Sequence, residues 1–221
     1  MCARFSLYAN HKTVIKLFQL SQIKHTLAPS YNIAPSQQIQ VVIEGDEPAS
    51  RALTTMRWGL IPAWQQPDKP IRMNHCARSE TADVKPTFKS AFKRSRCLIL
   101  ANGFYEWHET TKQPYYITHR NQEIFAMAGL WETWRTKASE ILSCCILTQN
   151  PNPAFGVYHD RMPVILPPAH FDDWLSKNSH DTNALKELLM PLTENQLIVT
   201  PISKFVNSWK NDSSECIQPV T

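Results

Sequence analysis

Sixteen prolines against only five glycines are the strongest constraint on what this 221-residue chain can become. Proline fixes φ and removes a backbone donor, whereas glycine loosens the chain. This imbalance predicts many fixed turns and few flexible glycine loops. Hydrophobic patterning agrees, giving short strand-like runs over 39–43, 52–58, 97–101, 141–148 and 197–202. Segments 115–119 and 124–128 flank a polar stretch and read as a hairpin. Helical spacing is sparser. Asn10 can cap a helix with Val14, Leu17 and Phe18 on its apolar face, and 171–175 and 183–189 read as short helices. From 83 to 96 the pattern is also helical, with Pro86 in the first turn and Phe88 and Phe92 as an i, i+4 pair. Proline punctuates 28–36 as a loop. Numerous short strands, few helices and no βαβ regularity predict an α+β fold. Its sheet should be mainly antiparallel and curled or barrel-like, with a few flanking helices. No linker divides the chain, so one domain is expected over 1–221.

Hydrophobic content of 43% and charged content of 19% are those of a globular chain. A net charge of +4 is compatible with a polyanionic partner without demanding one. The six cysteines, at 2, 76, 97, 144, 145 and 216, contain no C-x-x-C and do not resemble a secreted disulfide framework. A signal-peptide pattern and any run of 18 apolar residues are both missing. The chain therefore reads as reduced, cytoplasmic and without a membrane segment. The patterns G-x-S-x-G, P-loop, G-x-G-x-x-G and H-E-x-x-H do not occur. Adjacent His75 and Cys76 lack a second ligand pair at finger spacing, so no metal or cofactor is expected.

Four clusters carry potential chemistry. The chain starts Met1-Cys2-Ala3-Arg4-Phe5. Trimming of Met1 would give Cys2 a free α-amine beside its thiol, with reference pKa values of about 8 and about 8.5. Such a 1,2-aminothiol captures an aldehyde first as a Schiff base and then as a five-membered thiazolidine. Arg4 would add a fixed positive charge. Arg78, within Asn74-His75-Cys76-Ala77-Arg78-Ser79-Glu80-Thr81, could grip a phosphate or pair with Glu80. Glu106 lies between Tyr105 and Trp107. It is either a desolvated proton carrier or an ordinary strand-end carboxylate. His159, beside Asp160 and Arg161, suits acid–base work or a structural hydrogen bond. Lys85, Lys89 and Lys93 line one helical face, followed by Arg94 and Arg96; the stripe is a solvated face or a polyanion contact.

In order and spacing these pieces resemble the SOS-response-associated peptidase (SRAP) family of abasic-site processing proteins. The resemblance is carried by Met1-Cys2-x-Arg4-Phe5, Tyr31-Asn32-Ile33-Ala34-Pro35, Trp58-Gly59-Leu60-Ile61-Pro62-x-Trp64 and Ala77-Arg78-Ser79-Glu80-Thr81. Lys85-Pro86-x-Phe88, Gly103-Phe104-Tyr105-Glu106-Trp107 and His159-Asp160-Arg161-Met162-Pro163 continue it, and Val206-Asn207 and Ile217-Gln218-Pro219-Val220 close it. The resemblance implies a covalent crosslink between Cys2 and the open-ring aldehyde of an abasic site in single-stranded DNA, and autocatalytic loss of Met1. It implies that Glu106 handles protons beside the α-amine and that His159 serves ring opening and proton transfer. Arg4, Asn32 and Arg78 would hold the sugar and flanking phosphates. Single-stranded DNA binding combines positive charge with stacking surfaces, and Trp58, Trp64 and Lys85 are candidates for these. The protein is expected to act as a monomer.

Two positions depart from the family pattern. Ala3 stands where glycine is usual, and Cys76 stands where asparagine usually precedes Ala77-Arg78. Asn74, two residues earlier and on the same face of a strand, is the candidate substitute. Two other classes remain open. One is an N-terminal-nucleophile hydrolase of the glutamine amidotransferase type, which the glycine poverty disfavours. The other is a non-catalytic single-stranded DNA-binding module.

Overall fold

A computed structural model of the chain describes residues 2–47, 49–190, 192 and 194–220. The strands are β1 (Arg4–Leu7), β2 (Gln22–Ile23), β3 (Ser30–Ile33), β4 (Gln38–Glu44), β5 (Arg51–Trp58), β6 (Cys76–Arg78) and β7 (Arg96–Ala101). They continue with β8 (Gly103–Trp107), β9 (Pro114–His119), β10 (Phe125–Arg135), β11 (Glu140–Gln149), β12 (Met162–Pro163), β13 (Ile165–Leu166) and β14 (Leu197–Pro201). The helices are α1 (His11–Phe18), α2 (Lys89–Arg94), α3 (Pro153–Gly156), α4 (Phe171–Leu175) and α5 (Thr182–Glu187).

Two sheets result. One is open and runs β14-β9-β8-β1-β3. The other runs β12-β11-β10-β7-β4-β5-β2, and an extra pairing of β11 with β5 closes β5, β4, β7, β10 and β11 into a ring. Pairing is mainly antiparallel; among the described residues it is parallel where β11 meets β5 and β6 and where β2 meets β5. The expected α+β fold with a barrel-like sheet is therefore observed.

The chain crosses between sheets at buried Asn102, the single residue separating β7 from β8. Its side chain accepts from the Tyr8 and Ala9 amides at 2.8 and 3.1 Å and donates to the Glu123 carbonyl at 2.9 Å. The next residue must be glycine, because a Cβ on Gly103 would collide with the Tyr116 ring. β5 and β6 form one broken line along β11. Arg57 and Trp58 pair with Ser143 and Cys144, and Cys76 to Arg78 pair with Ile146 to Thr148. The chain leaves this line at Gly59, whose φ of +134° suits only glycine, and returns at Cys76. Trp58 closes the gap. It is fully buried, packs edge-on against Phe5 of β1 at 5.1 Å, and donates from Nε1 to the His75 carbonyl at 2.9 Å.

Several expectations need correction. Segments 115–119 and 124–128 form strands but not a hairpin: β9 pairs with β8 and β14, whereas β10 pairs with β7, β11 and β13. Only Lys89–Arg94 of the 83–96 segment is α-helical. Arg96 is not part of a basic stripe. It is buried and donates to the Trp174, Phe92, Ser176 and Ser179 carbonyls. The proline-punctuated segment 28–36 contains a strand, β3, because β1 offers it an edge. Leu17, assigned to the apolar face of α1, is exposed, while Val14 and Phe18 are buried.

Replacing Trp58 by Phe keeps the ring but removes the donor to His75. Urea denaturation is expected to show a stability loss of about 1–3 kcal/mol, against about 3–5 kcal/mol for Trp58→Ala.

Candidate active site around Cys2

The register of β1 against β8 sets Arg4 opposite Tyr105, Phe5 opposite Phe104 and Ser6 opposite Gly103. Followed back toward the chain start, this register brings residue 2 to the Glu106–Trp107 end of β8. Cys2 is fully buried there. The second sheet approaches from the other side: Cys76, the first residue of β6, directs its Sγ at the Cys2 carbonyl at 3.4 Å. His159, between α3 and β12, places Nε2 at 3.9 Å from Glu106 Oε2. Cys2, Cys76, Glu106 and His159 thus meet where the two sheets abut. Met1 and its removal lie outside the described residues.

Glu106 is 3% exposed, and its Oε1 has no hydrogen-bond partner among the described residues. Burial pushes its pKa up to about 7. A carboxyl with that affinity both takes and gives protons near neutrality, and its unpartnered oxygen is a ready acceptor. Burial raises the Cys2 thiol well above its ordinary value, and a neighbouring negative charge on Glu106 raises it further. The site therefore keeps the sulfur protonated at rest.

Burial lowers the pKa of His159, favouring the neutral ring at neutral pH. Its Nδ1 has two close neighbours, the Arg161 amide at 2.9 Å and an Asp160 carboxylate oxygen, while Nε2 is the nitrogen on the Glu106 side. Asp160 Oδ1 lies 2.8 Å from the same Nδ1 and holds the ring when it becomes charged. The turn itself is anchored by Arg161, which is buried. Arg161 makes a two-pronged pair with Glu80 at 2.8 Å and also donates to Asn150 Oδ1 at 2.7 Å and the Thr148 carbonyl at 2.6 Å. Glu80 is thereby committed to Arg161, and the alternative pairing of Arg78 with Glu80 does not occur. This support role of Arg161 was not read from the sequence, although both members lie inside the quoted motifs.

The remaining candidates separate into exposed and internal groups. Arg78 is exposed and its guanidinium makes no hydrogen bond or ion pair among the described residues. Trp64 is 64% exposed, and Lys85 is exposed. Trp58, expected as a stacking platform, has no free face and is a core residue instead. Asn32 is buried, and its amide is used internally. It donates to the Val206, Ser208 and Asn211 carbonyls at 3.1, 3.0 and 2.8 Å and accepts from Arg4 at 2.7 Å. Arg4 also donates to the Val206 and Asn207 carbonyls at 3.1 and 3.3 Å. These two residues tie β1 and β3 to the 206–211 segment, and that segment meets the site through Asn207 Oδ1, which accepts from Trp107 Nε1 at 2.8 Å. Asn74 turns away from Cys2. It bridges to Leu60, and its side chain donates to the Leu60 carbonyl at 3.4 Å, so Cys76 occupies the place next to Cys2. A cleft of about 300 Å³ lined by Trp107, Glu109, Lys112, Tyr158, His159 and Asp160 opens beside the cluster.

The family model described as SOS response associated peptidase (SRAP) matches residues 1–209. The Bacillus subtilis protein named abasic site processing protein YoqW is 37% identical over 224 residues, covering 99% of each chain. Abasic site processing protein YoaM of the same organism is 38% identical over 223 residues, covering 98% of this chain and 97% of its own. Abasic site processing protein HMCES of Xenopus tropicalis is 32% identical, covering 87% of this chain and 66% of its own length. Among solved structures, a Bacteroides thetaiotaomicron protein superposes over the whole of both chains with a TM-score of 0.88 at 24% identity, which speaks for the fold.

Glu106 yields a pH prediction. Its folded pKa, about 7, exceeds the ordinary carboxylate value of 4.5, so between these limits the folded chain holds a proton that the unfolded chain has released. Stability should therefore fall as pH rises through that window, by an amount on the order of 3 kcal/mol. Glu106→Gln is expected to flatten this slope and to be relatively more stable at pH 8 than at pH 4, as read from chemical denaturation across pH.

Proposed function

Because the chain belongs to the SOS response associated peptidase family, we propose that it processes abasic sites in single-stranded DNA by forming a covalent bond through Cys2. The observation that carries this reading is the unpaired Oε1 of buried Glu106, beside the cysteine that trimming of Met1 would make N-terminal. An α-ammonium group there gives that oxygen its donor. Glu106 then takes a proton from the ammonium, and the free amine attacks C1′ of the opened sugar. The resulting carbinolamine loses its hydroxyl as water, with Glu106 or His159 returning a proton, and an iminium ion forms. The Cys2 sulfur adds to the same carbon and gives up its proton, closing the thiazolidine. One water leaves in total. The high resting pKa of the thiol is no obstacle, because the thiol proton has a neighbouring carboxylate to receive it.

The 3.9 Å separation between His159 and Glu106 lets the two groups share this proton traffic, and the cleft beside His159 gives the sugar a place to open. Exposed Arg78 meets a phosphate, and exposed Trp64 offers a face to a base next to the gap. Arg4 and Asn32 act indirectly, by holding the 206–211 segment in place. Removal of Met1 by the same proton-transferring pair is part of this proposal.

Incubation with an oligonucleotide carrying one abasic site should give a species that survives a denaturing gel and whose intact mass lacks Met1. Cys2→Ala should still bind the oligonucleotide and form no stable adduct. An unprocessed extension before Cys2 should likewise abolish the adduct, since an amide nitrogen forms no Schiff base; normal crosslinking by that protein would defeat the proposal. Arg78→Ala should weaken binding across sequences and reduce the slope of log K against log salt by about 1.

A further inference from the structure

Of the six cysteines, Cys2, Cys97, Cys144, Cys145 and Cys216 are completely buried. Solvent reaches part of Cys76. Its sulfur lies 3.4 Å from the carbonyl oxygen of Cys2, the residue whose thiol the proposed reaction consumes. A disulfide needs Cα atoms about 4.4–6.8 Å apart. The Cys76 sulfur already touches the backbone of residue 2. The Cys2 sulfur now leans toward the Arg4 carbonyl, 3.8 Å away, a weak contact that is surrendered when it turns to Cys76. Residue 2 precedes β1 and is not fixed by strand pairing, whereas Cys76 is anchored by the pairing of β6 with β11. Cys2 is thus the partner that has to rotate.

We infer that Cys2 and Cys76 form a redox pair in which a peroxide or a small-molecule disulfide joins the two sulfurs and so withdraws the Cys2 thiol from reaction with an aldehyde. With a peroxide, the Cys76 thiol is oxidised to a sulfenic acid while the peroxide is reduced and releases one water. The Cys2 sulfur then attacks the Cys76 sulfur, and the hydroxyl leaves with the Cys2 proton as a second water. Two thiols have given up two electrons and two protons. With a small-molecule disulfide, two exchange steps reach the same product and release two small thiols. Burial pushes the Cys76 thiol up to about 12 and the Cys2 thiol well above its usual value, so the thiolate is scarce near neutrality. The pair therefore oxidises slowly at low oxidant and faster as pH rises. The consequence for crosslinking rests on the proposed function; the disulfide itself does not.

The test uses the full chain trimmed to Cys2, exposed to graded hydrogen peroxide or oxidised glutathione. Free thiols are then alkylated in denaturant, and the digest is read by mass spectrometry. The expected product is one peptide pair linking Cys2 to Cys76, in a protein two hydrogens lighter, restored by dithiothreitol. Crosslinking to an abasic-site oligonucleotide should fall in proportion to the linked fraction and return with the reductant. Cys76→Ser and Cys76→Asn should form no link, and the ratio of their oxidised to reduced crosslinking yields should stay well above that of the parent. Recovery of Cys2 as a free thiol, its linkage to another cysteine, or equal loss in both variants through over-oxidation of Cys2 would overturn the inference. If the reduced parent never crosslinks, the proposed function fails, and the peptide map still decides the pairing.

Discussion

One buried indole holds the candidate site together. Trp58 ends β5, packs against Phe5 two residues before Leu7 at the close of β1, and hydrogen-bonds the carbonyl that precedes Cys76. Each of those neighbours leads to a cysteine of the candidate site: Phe5 to Cys2, and His75 to Cys76. The two sheets have no continuous ladder between them at this point, so their mutual position depends on packing. A side chain with a large apolar face and one donor satisfies both requirements. It also explains why a tryptophan that resembles a DNA-stacking residue in sequence is instead spent entirely inside the protein.

Polar satisfaction is distributed unevenly around the cluster. Arg161, Asn32 and Asn102 are buried with most of their hydrogen-bonding capacity filled, and each fixes a segment that borders the site. Glu106 is buried with one oxygen unfilled. Leaving a buried polar atom without a partner generally costs about 1–3 kcal/mol; Arg161 Nε is also unfilled among the described residues, but Glu106 is the carboxylate of the cluster in this condition. That is the pattern expected where function rather than stability has chosen the residue. The same burial that unsettles Glu106 gives it a proton affinity matched to neutral solution.

Much of the strand inventory was legible from short apolar runs, because β4, β5, β7, β11 and β14 are buried or half-buried and bounded by turn residues. Pairing was not. Adjacency in sequence suggested that the strands around 115 and 125 form a hairpin, but each belongs to a different sheet, and no local signal records that switch. β3 was hidden by its flanking prolines, since an edge strand tolerates them. At the site, Cys2, Glu106 and His159 were readable from motif order. The sequence alone could not separate side chains that face outward, such as Arg78 and Trp64, from those that face inward, such as Asn32 and Trp58. The same limit applied to residues 74 and 76, which share a strand face in principle. Asn74 is diverted by its bridge to Leu60 before β6 begins.

The broken line of β5 and β6 along β11 decouples two properties. Both ends of the 59–75 excursion are pinned to a common neighbour, so the spacing between Trp58 and Cys76 does not depend on what lies between them. Loop-closure entropy grows only by roughly 0.6 kcal/mol per doubling of length. The exposed stretch 66–73, beyond buried Leu60 and Ile61, can therefore be lengthened, shortened or recomposed at small energetic cost. That outer stretch can vary while Trp58 and Cys76 keep their separation.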